Sequence, residues 1–299
     1  MKRNRRLLQM LIFMFLSLAL MVNLSGCGNT PSDSGGGASS GDTSWSAVST
    51  TSAPTARYGH TAVWTGSEMV VWGGTPDSAT FLNTGGKYNP TTDSWTATAT
   101  TSAPSARAGE GVWGVWTGTE MIIWGGNDVN TYFNTGGRYN PSTNSWTATT
   151  TTGAPTARYN YNGTPVWTGS EMIVWGGWNG PATYFNTGGR YNPTTDSWTA
   201  TSTTNAPSAR QSQKAVWTGT GGVMIVWGGT PDDVTTLNTG GRYNPTTDTW
   251  SATSTTNAPT ARYLHTAVWT GSQMIVWGGS SSESDIATSS LNTGGRYTP

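Results

Sequence analysis

Charge, cysteine and histidine are all scarce in this chain of 299 residues. Asp, Glu, Lys and Arg make up 10% of it, against roughly 25% in an ordinary soluble domain. A single Cys excludes a disulfide framework and any Cys-based zinc or iron–sulfur site. Two His leave little room for a histidine-ligated metal, and no cofactor is expected. Residues 45–299 show no helical periodicity with caps. What the chain has instead is 40 Gly and 17 Trp. Its formal charge is zero, yet Lys2, Arg3, Arg5 and Arg6 all stand in the first six residues. Without those four, 15 bases become 11 against 15 acids, a net of −4. That is the wrong sign for a nucleic-acid partner, and none is expected.

The basic start is followed by Leu7 to Leu24, apolar apart from Gln9, Ser17 and Asn23. This is the charged and hydrophobic order of a secretory leader. Leu24-Ser25-Gly26-Cys27 resembles the lipobox of bacterial lipoproteins. A small Gly suits the peptidase, and the thiol accepts a diacylglyceryl group as a thioether. The resemblance implies cleavage before Cys27 and a membrane contact through the lipid alone, in the bacterial envelope on the periplasmic or cell-surface side. An uncleaved anchor is the alternative, since 18 residues nearly span a bilayer. Residues 28–44 are Gly- and Ser-rich and read as a tether reaching about 20–25 Å. The expected division is therefore leader 1–26, lipidated Cys27 and tether 27–44, and folded domain 45–299.

That domain is repetitive. Trp-Gly-Gly recurs with its Trp at 72, 124, 175, 227 and 277, and Val-Trp-Thr-Gly at 64, 116, 167, 217 and 269. A Tyr follows Gly-Gly-Lys or Gly-Gly-Arg at 88, 139, 191, 243 and 297; a further Trp stands at 45, 95, 146, 198 and 250. Ala-Arg recurs at Arg57, Arg107, Arg158, Arg210 and Arg262, and across all of these repeated residues the spacing is 50 to 54. Within one unit, four strands are expected: His60 to Thr65, Met69 to Trp72, one around Gly86-Lys87-Tyr88, and Ser94 to Thr98. Turns are expected at Gly66-Ser67 and at Asn89 to Asp93. A four-stranded antiparallel unit repeated radially is a propeller blade.

The Gly-Gly doublet closing the second strand, the Tyr of the third and the Trp of the fourth (Gly125-Gly126, Tyr139 and Trp146 in the second unit) resemble the Kelch repeat. The likeness runs over residues 45–299 and implies an all-β, five-bladed Kelch-like β-propeller, where six or seven blades are usual. The domain opens on a lone fourth strand at Trp45 and stops after a third strand. The N-terminal strand is therefore expected to pair with the C-terminal blade and close the ring, burying its edges. A larger ring lacking some repeats is the alternative.

Antiparallel strands place the second-to-third loop and the link into the first strand on one face, and this face varies between copies. The other face, Trp-Thr-Gly-Ser/Thr and Tyr-Asn-Pro, is nearly constant. Variable loops on a rigid scaffold are where binding sits, and in the Kelch resemblance the same segments meet ligands. The candidate binding residues are Tyr58, His60, Asp77, Glu110, Trp113, Asp128, Tyr159, Tyr161, Trp178, Asn179, Asp232, Asp233, Tyr263 and His265. Units two and three carry two extra residues there, which add Trp113 and Tyr161. Aromatic rings give large contact area with a polar edge, and the acidic bias of the face favours neutral polymers or cationic partners. The repeated bases are expected to support blade packing, with Asp93, Asp196 and Asp248 as possible ion-pair partners. If the Ala-Arg guanidiniums line the channel mouth, an anion would sit there.

Catalytic motifs are scarce. His60 and His265 stand in no triad motif and form a weak metal pair. The Tyr–Cys crosslink of Kelch copper oxidases has no Cys to form it. Glu110 with Asp128 is the one carboxylate pair worth entertaining for glycoside hydrolysis. Calcium at Asp232-Asp233 or Ser282 to Asp285 lacks a full loop motif. The expectation is a monomeric, lipid-anchored envelope binding protein that engages another envelope protein. A carbohydrate-binding module for a glycan ligand is the alternative, with a sugar-acting enzyme behind it.

Overall fold

A computed structural model describes residues 45–108, 112–180, 183–232, 234–282 and 286–299. The leader, Cys27 and the tether lie outside the described residues, as do Glu110, Asp233, Glu283 and Asp285. The chain divides into two compact units, Met1–Ala47 and Val48–Pro299. Of the first, only residues 45–47 are described; they form no strand, and Trp45 is fully exposed.

The second unit holds five antiparallel sheets, one per repeat. Blade 1 is β1 Thr61–Trp64, β2 Met69–Trp72, β3 Gly85–Asn89 and β4 Ser94–Ala97. Blade 2 is β5 Trp113–Trp116, β6 Met121–Trp124, β7 Gly136–Asn140 and β8 Ser145–Ala148. Blade 3 is β9 Val166–Trp167, β10 Met172–Trp175, β11 Gly188–Asn192 and β12 Ser197–Ala200. Blade 4 is β13 Lys214–Trp217, β14 Met224–Trp227, β15 Gly240–Asn244 and β16 Thr249–Ala252. Blade 5 has three strands, β17 Thr266–Trp269, β18 Met274–Trp277 and β19 Gly294–Tyr297, with a helical turn at Ile286–Ser289. Five all-β blades match the expected count.

The hairpins follow from local chemistry. Thr65 Oγ1 accepts from the amides of Ser67 and Glu68, while Gly66 takes a φ of 104°. Such a conformation costs a residue with a Cβ far more than it costs Gly. At the other turn Asn89 Oδ1 accepts from the Thr91 and Thr92 amides, an Asx turn. Register repeats from blade to blade: Met69 lies opposite Tyr88 and Tyr88 opposite Trp95, as Met121, Tyr139 and Trp146 do in blade 2.

The core lies between blades. The second-strand Trp of one blade packs on the fourth-strand Trp of the next: Trp72 on Trp146, Trp124 on Trp198 and Trp175 on Trp250, with ring centroids 5.2–5.3 Å apart. In the third strand a Cβ on Gly86 would stand 2.6 Å from Pro54 Cγ, so Gly is what lets the link lie against the sheet. The constant-face bases also join blades. Lys87, Arg138 and Arg190 donate to the carbonyls of Pro141, Pro193 and Pro245 one blade on. They pair with Glu68, Glu120 and Glu171 at 3.8, 3.8 and 3.5 Å.

This corrects the pairing expected for the repeated Asp residues. Asp93, Asp196 and Asp248 accept instead from the hydroxyls of Tyr88, Tyr191 and Tyr243, and from the amides of Ser49, Thr150 and Ser202. Their turn residues adopt positive φ, which aims the carboxylate at the neighbouring link rather than at the bases.

Inner strands contact in the order β1, β5, β9, β13, β17. The structure does not show the ring closed: the fifth sheet lacks a fourth strand, and β17 makes no comparable contact with β1. Fixing a lone short strand on an edge costs about 1–2 kcal/mol per residue in backbone entropy.

Candidate functional site

The variable face is built the same way in every blade. The residue after Ala-Arg bridges the residue after Gly-Gly: Tyr58 with Thr75, Ala108 with Asn127, Tyr159 with Trp178, Gln211 with Thr230, and Tyr263 with Ser280. Both variable segments are thereby held side by side above each sheet.

Beneath them lie the Ala-Arg guanidiniums. Arg107, Arg158, Arg210 and Arg262 are 0–1% exposed. Arg158 Nη1 donates to the carbonyls of Gly176 and Thr187 at 3.0 and 2.8 Å, Nε to the Thr156 carbonyl, and Nη2 to Thr187 Oγ1. Phe185 lies 4.2 Å from that guanidinium, as Phe133 does from Arg107. The backbone of the same Arg ties to the preceding blade, its amide donating to the Phe133 carbonyl and its carbonyl accepting from the Gly126 amide. Burial lowers the pKa to about 10 at Arg107 and Arg210 and about 9 at Arg158. The carbonyl dipoles make up for the missing water. These guanidiniums are spent on holding the loops, so no anion site forms at a channel mouth.

The three described acidic candidates share one geometry. Asp77 Oδ1 accepts from the amides of Ala79 and Thr80, Asp128 from Asn130 and Thr131, and Asp232 from Val234 and Thr235. Hydrogen bonds from the Thr80 and Ala79 amides hold Asp77 below the usual carboxylate range. For Asp232 partial burial pushes upward, but the Thr235 and Val234 amides outweigh it. Each carboxylate thus locks its loop, and those of Asp77 and Asp232 stay ionised.

The aromatic candidates separate into two groups. Tyr132, Tyr159, Tyr161 and Trp178 form one half-buried cluster across blades 2 and 3. Tyr132 meets Trp178 edge-on at 5.4 Å and 88°, Tyr159 meets Trp178 at 6.5 Å, and Tyr159 meets Tyr161 at 6.2 Å. Tyr184 bridges Trp178 through the backbone, and the Asn179 amide donates to the Thr183 carbonyl. Tyr132, half-buried in the blade 2 loop, was not among the expected site residues; its place in a variable loop was the available signal.

The other aromatics are corrections. Trp113 is 2% exposed and stacks on Trp124 at 5.7 Å and 15°. It opens β5 rather than standing in a loop, because the extra residues of unit two precede it. Tyr263 is 2% exposed, whereas Tyr58, its counterpart in blade 1, is 49% exposed with its hydroxyl on Ser78. Trp277 to Gly294 spans 17 positions against 13 from Trp72 to Gly85, and Tyr263 bridges Ser280 in that segment.

His265 is likewise buried, at 0% exposure, edge-on to Trp227 at 5.3 Å. Burial lowers its pKa to about 3, helped by the charges of Lys214 and Arg262. His60 is exposed and its pKa is lowered, first by partial burial and then by Arg57. A buried neutral imidazole and an exposed one make no common metal centre, and among the described residues no group of three His, Cys, Asp or Glu could hold one.

A family model described as the KLHDC2/KLHL20/DRC7 Kelch-repeats domain matches residues 39–202 and 162–293. No curated protein matches the chain.

Proposed function

The chain belongs to the Kelch-repeat family, and from that premise we propose that its variable face binds a protein partner in the bacterial envelope, where Cys27 anchors it by lipid. The observation that carries this reading is the cluster of Tyr132, Tyr159, Tyr161 and Trp178. Amphipathic rings gathered from loops of two blades give a pre-formed anchor of the kind that dominates protein interfaces. Loops already locked by Asp77, Asp128 and Asp232 lose little entropy on binding. The ionised carboxylates of Asp77 and Asp232 steer a cationic partner toward the rings.

The protein acts by binding rather than by chemistry. The carboxylate of Asp128 is committed to two loop amides, and no catalytic residue is assigned. A glycan ligand is the second reading, supported by the same rings, since sugars also rest on aromatic faces.

The experiment compares the wild type with Tyr132→Ala/Trp178→Ala, both on an array of cell-wall glycans and in chemical crosslinking to envelope proteins. Saturable crosslinking to a defined protein, lost in the variant, is expected. Glycan binding lost in the variant would transfer the site to the second reading. Equal behaviour of the two proteins would refute the face.

A further inference from the structure

Beyond the first six residues, Lys214 is the one base that stands at none of the repeated Arg or Lys positions. It opens β13, where β1 and β17 open on Thr61 and Thr266. Its ammonium reaches back to the link into blade 3, donating to the Asn162 carbonyl at 2.6 Å and to Asn162 Oδ1 at 2.8 Å. Asn162 lies in the segment that unit three lengthens: Arg158 to Trp167 spans nine positions, against seven from Arg210 to Trp217. The inner strand that follows is short, since β9 has two residues where β1, β5, β13 and β17 have four.

Two more ties join the same segment to blade 4. Asn160 is 0% exposed, and its Oδ1 accepts from the Ser212 amide at 2.8 Å. Thr164 Oγ1 accepts from the Ala215 amide at 2.7 Å and donates to the Ala215 carbonyl at 3.0 Å. Between these ties the chain turns tightly: Asn162 takes a φ of 57°, and the Gly163 amide donates to the Asn160 carbonyl at 3.0 Å. A Cβ on Gly163 would run into the Asn160 amide group, so the turn closes directly on that side chain. Asn160, Asn162 and Thr164 thus meet blade 4 at alternate positions, and Tyr159 and Tyr161 alternate with them. Those two rings stand 6.2 Å apart, and Tyr159 exchanges both backbone hydrogen bonds with Trp178 at 2.8 and 2.7 Å.

We propose that residues 160–164 form a strap through which blade 4 sets the ring cluster of blades 2 and 3, with Asn160 and Lys214 as its positioning residues. The inference rests on the binding reading of the variable face and says how that face is held ready. A loop carrying two rings loses backbone and side-chain freedom when it is ordered. Ties to blade 4 place that cost in folding, so binding does not bear it. The ammonium suits the task, being a compact charge with three donors that makes charge-assisted bonds to both Asn162 oxygens. The extra residues of unit three therefore serve the rings from beneath as well as adding Tyr161 to them.

NMR on the full chain tests it. In the wild type the Tyr159 and Tyr161 rings should give a mutual NOE, and its absence overturns the proposal. Lys214→Met should abolish that NOE and speed exchange of the Gly163 amide at least about 10-fold, with blade 1 amides protected as in the wild type. Lys214→Arg, which keeps a charged donor, should preserve both signals. An unchanged NOE and exchange rate in Lys214→Met overturn the strap, and so does a loss that spreads to blade 1. Asn160→Ala gives an independent readout: the Ser212 amide should exchange at least about 10-fold faster and the NOE should again disappear. Wild-type protection of Ser212 there overturns the proposal. None of these signals needs a partner, so the strap and the binding reading fail separately. Crosslinking to an envelope protein that survives release of the rings would refute the binding reading while supporting the strap.

Discussion

The buried imidazole of His265 makes the stability of the propeller pH-dependent in a way that one substitution removes. Its pKa falls from an ordinary 6.5 to about 3 in the folded chain. A base with a depressed native pKa binds its proton more readily when unfolded, so folding stability is complete above pH 6.5. It is lost as pH falls from there toward 3. At 1.36 kcal/mol per pH unit, the loss at pH 5 is about 2 kcal/mol. Blade 4 supplies the control, because Gln213 occupies the same position, is 3% exposed and donates Nε2 to the Trp175 carbonyl at 2.8 Å. His265→Gln should therefore fold with an amide in place of the ring. Urea unfolding at pH 7 and pH 5 measures the difference. The wild type should lose about 2 kcal/mol more than the variant. Carboxylates with lowered pKa, Asp77, Asp93 and Asp232, are common to both chains and cancel. Equal pH dependence in the two proteins, or a His265 titration near 6.5 by NMR, would refute the reasoning.

Three further outcomes follow from the contacts. Arg158→Met keeps the stem on Phe185 but strands the Gly176, Thr187 and Thr156 carbonyls, and should cost about 3–5 kcal/mol in chemical denaturation. Gly189→Ala places a Cβ 2.7 Å from Pro155 Cγ and 3.0 Å from Trp198 Cε3; a loss of about 1–3 kcal/mol is expected, and a neutral result would show that the link moves freely. Glu171→Gln breaks a partly exposed pair while Arg190 keeps the Pro245 carbonyl. It should change stability by less than about 1 kcal/mol, and less again in high salt.

Much of the architecture was legible because it repeats. Thr65-Gly66 and Asn89 to Asp93 carry their turn chemistry locally, so strand edges fall within a residue or two of the expected positions. The half-buried ring cluster was partly legible, through Tyr159, Tyr161 and Trp178 in variable segments. Burial of individual site residues was not. Tyr58 and Tyr263 follow the same Ala-Arg, yet one ring is 49% exposed and the other 2%. His60 and His265 differ because Trp227 of blade 4 packs on His265, while among the described residues no such ring meets His60.

The sequence by itself determined the repeat, the four-stranded unit, the blade count and the division into a constant and a variable face. Each rests on interactions between residues near in the chain, or on one pattern met five times. Only the tertiary structure decided that the Ala-Arg guanidiniums are buried struts bonded to carbonyls. It alone decided that the repeated Asp residues serve Tyr hydroxyls, and that Trp113 belongs to the core. Those outcomes depend on contacts between blades some fifty residues apart, where geometry chooses among several chemically acceptable partners.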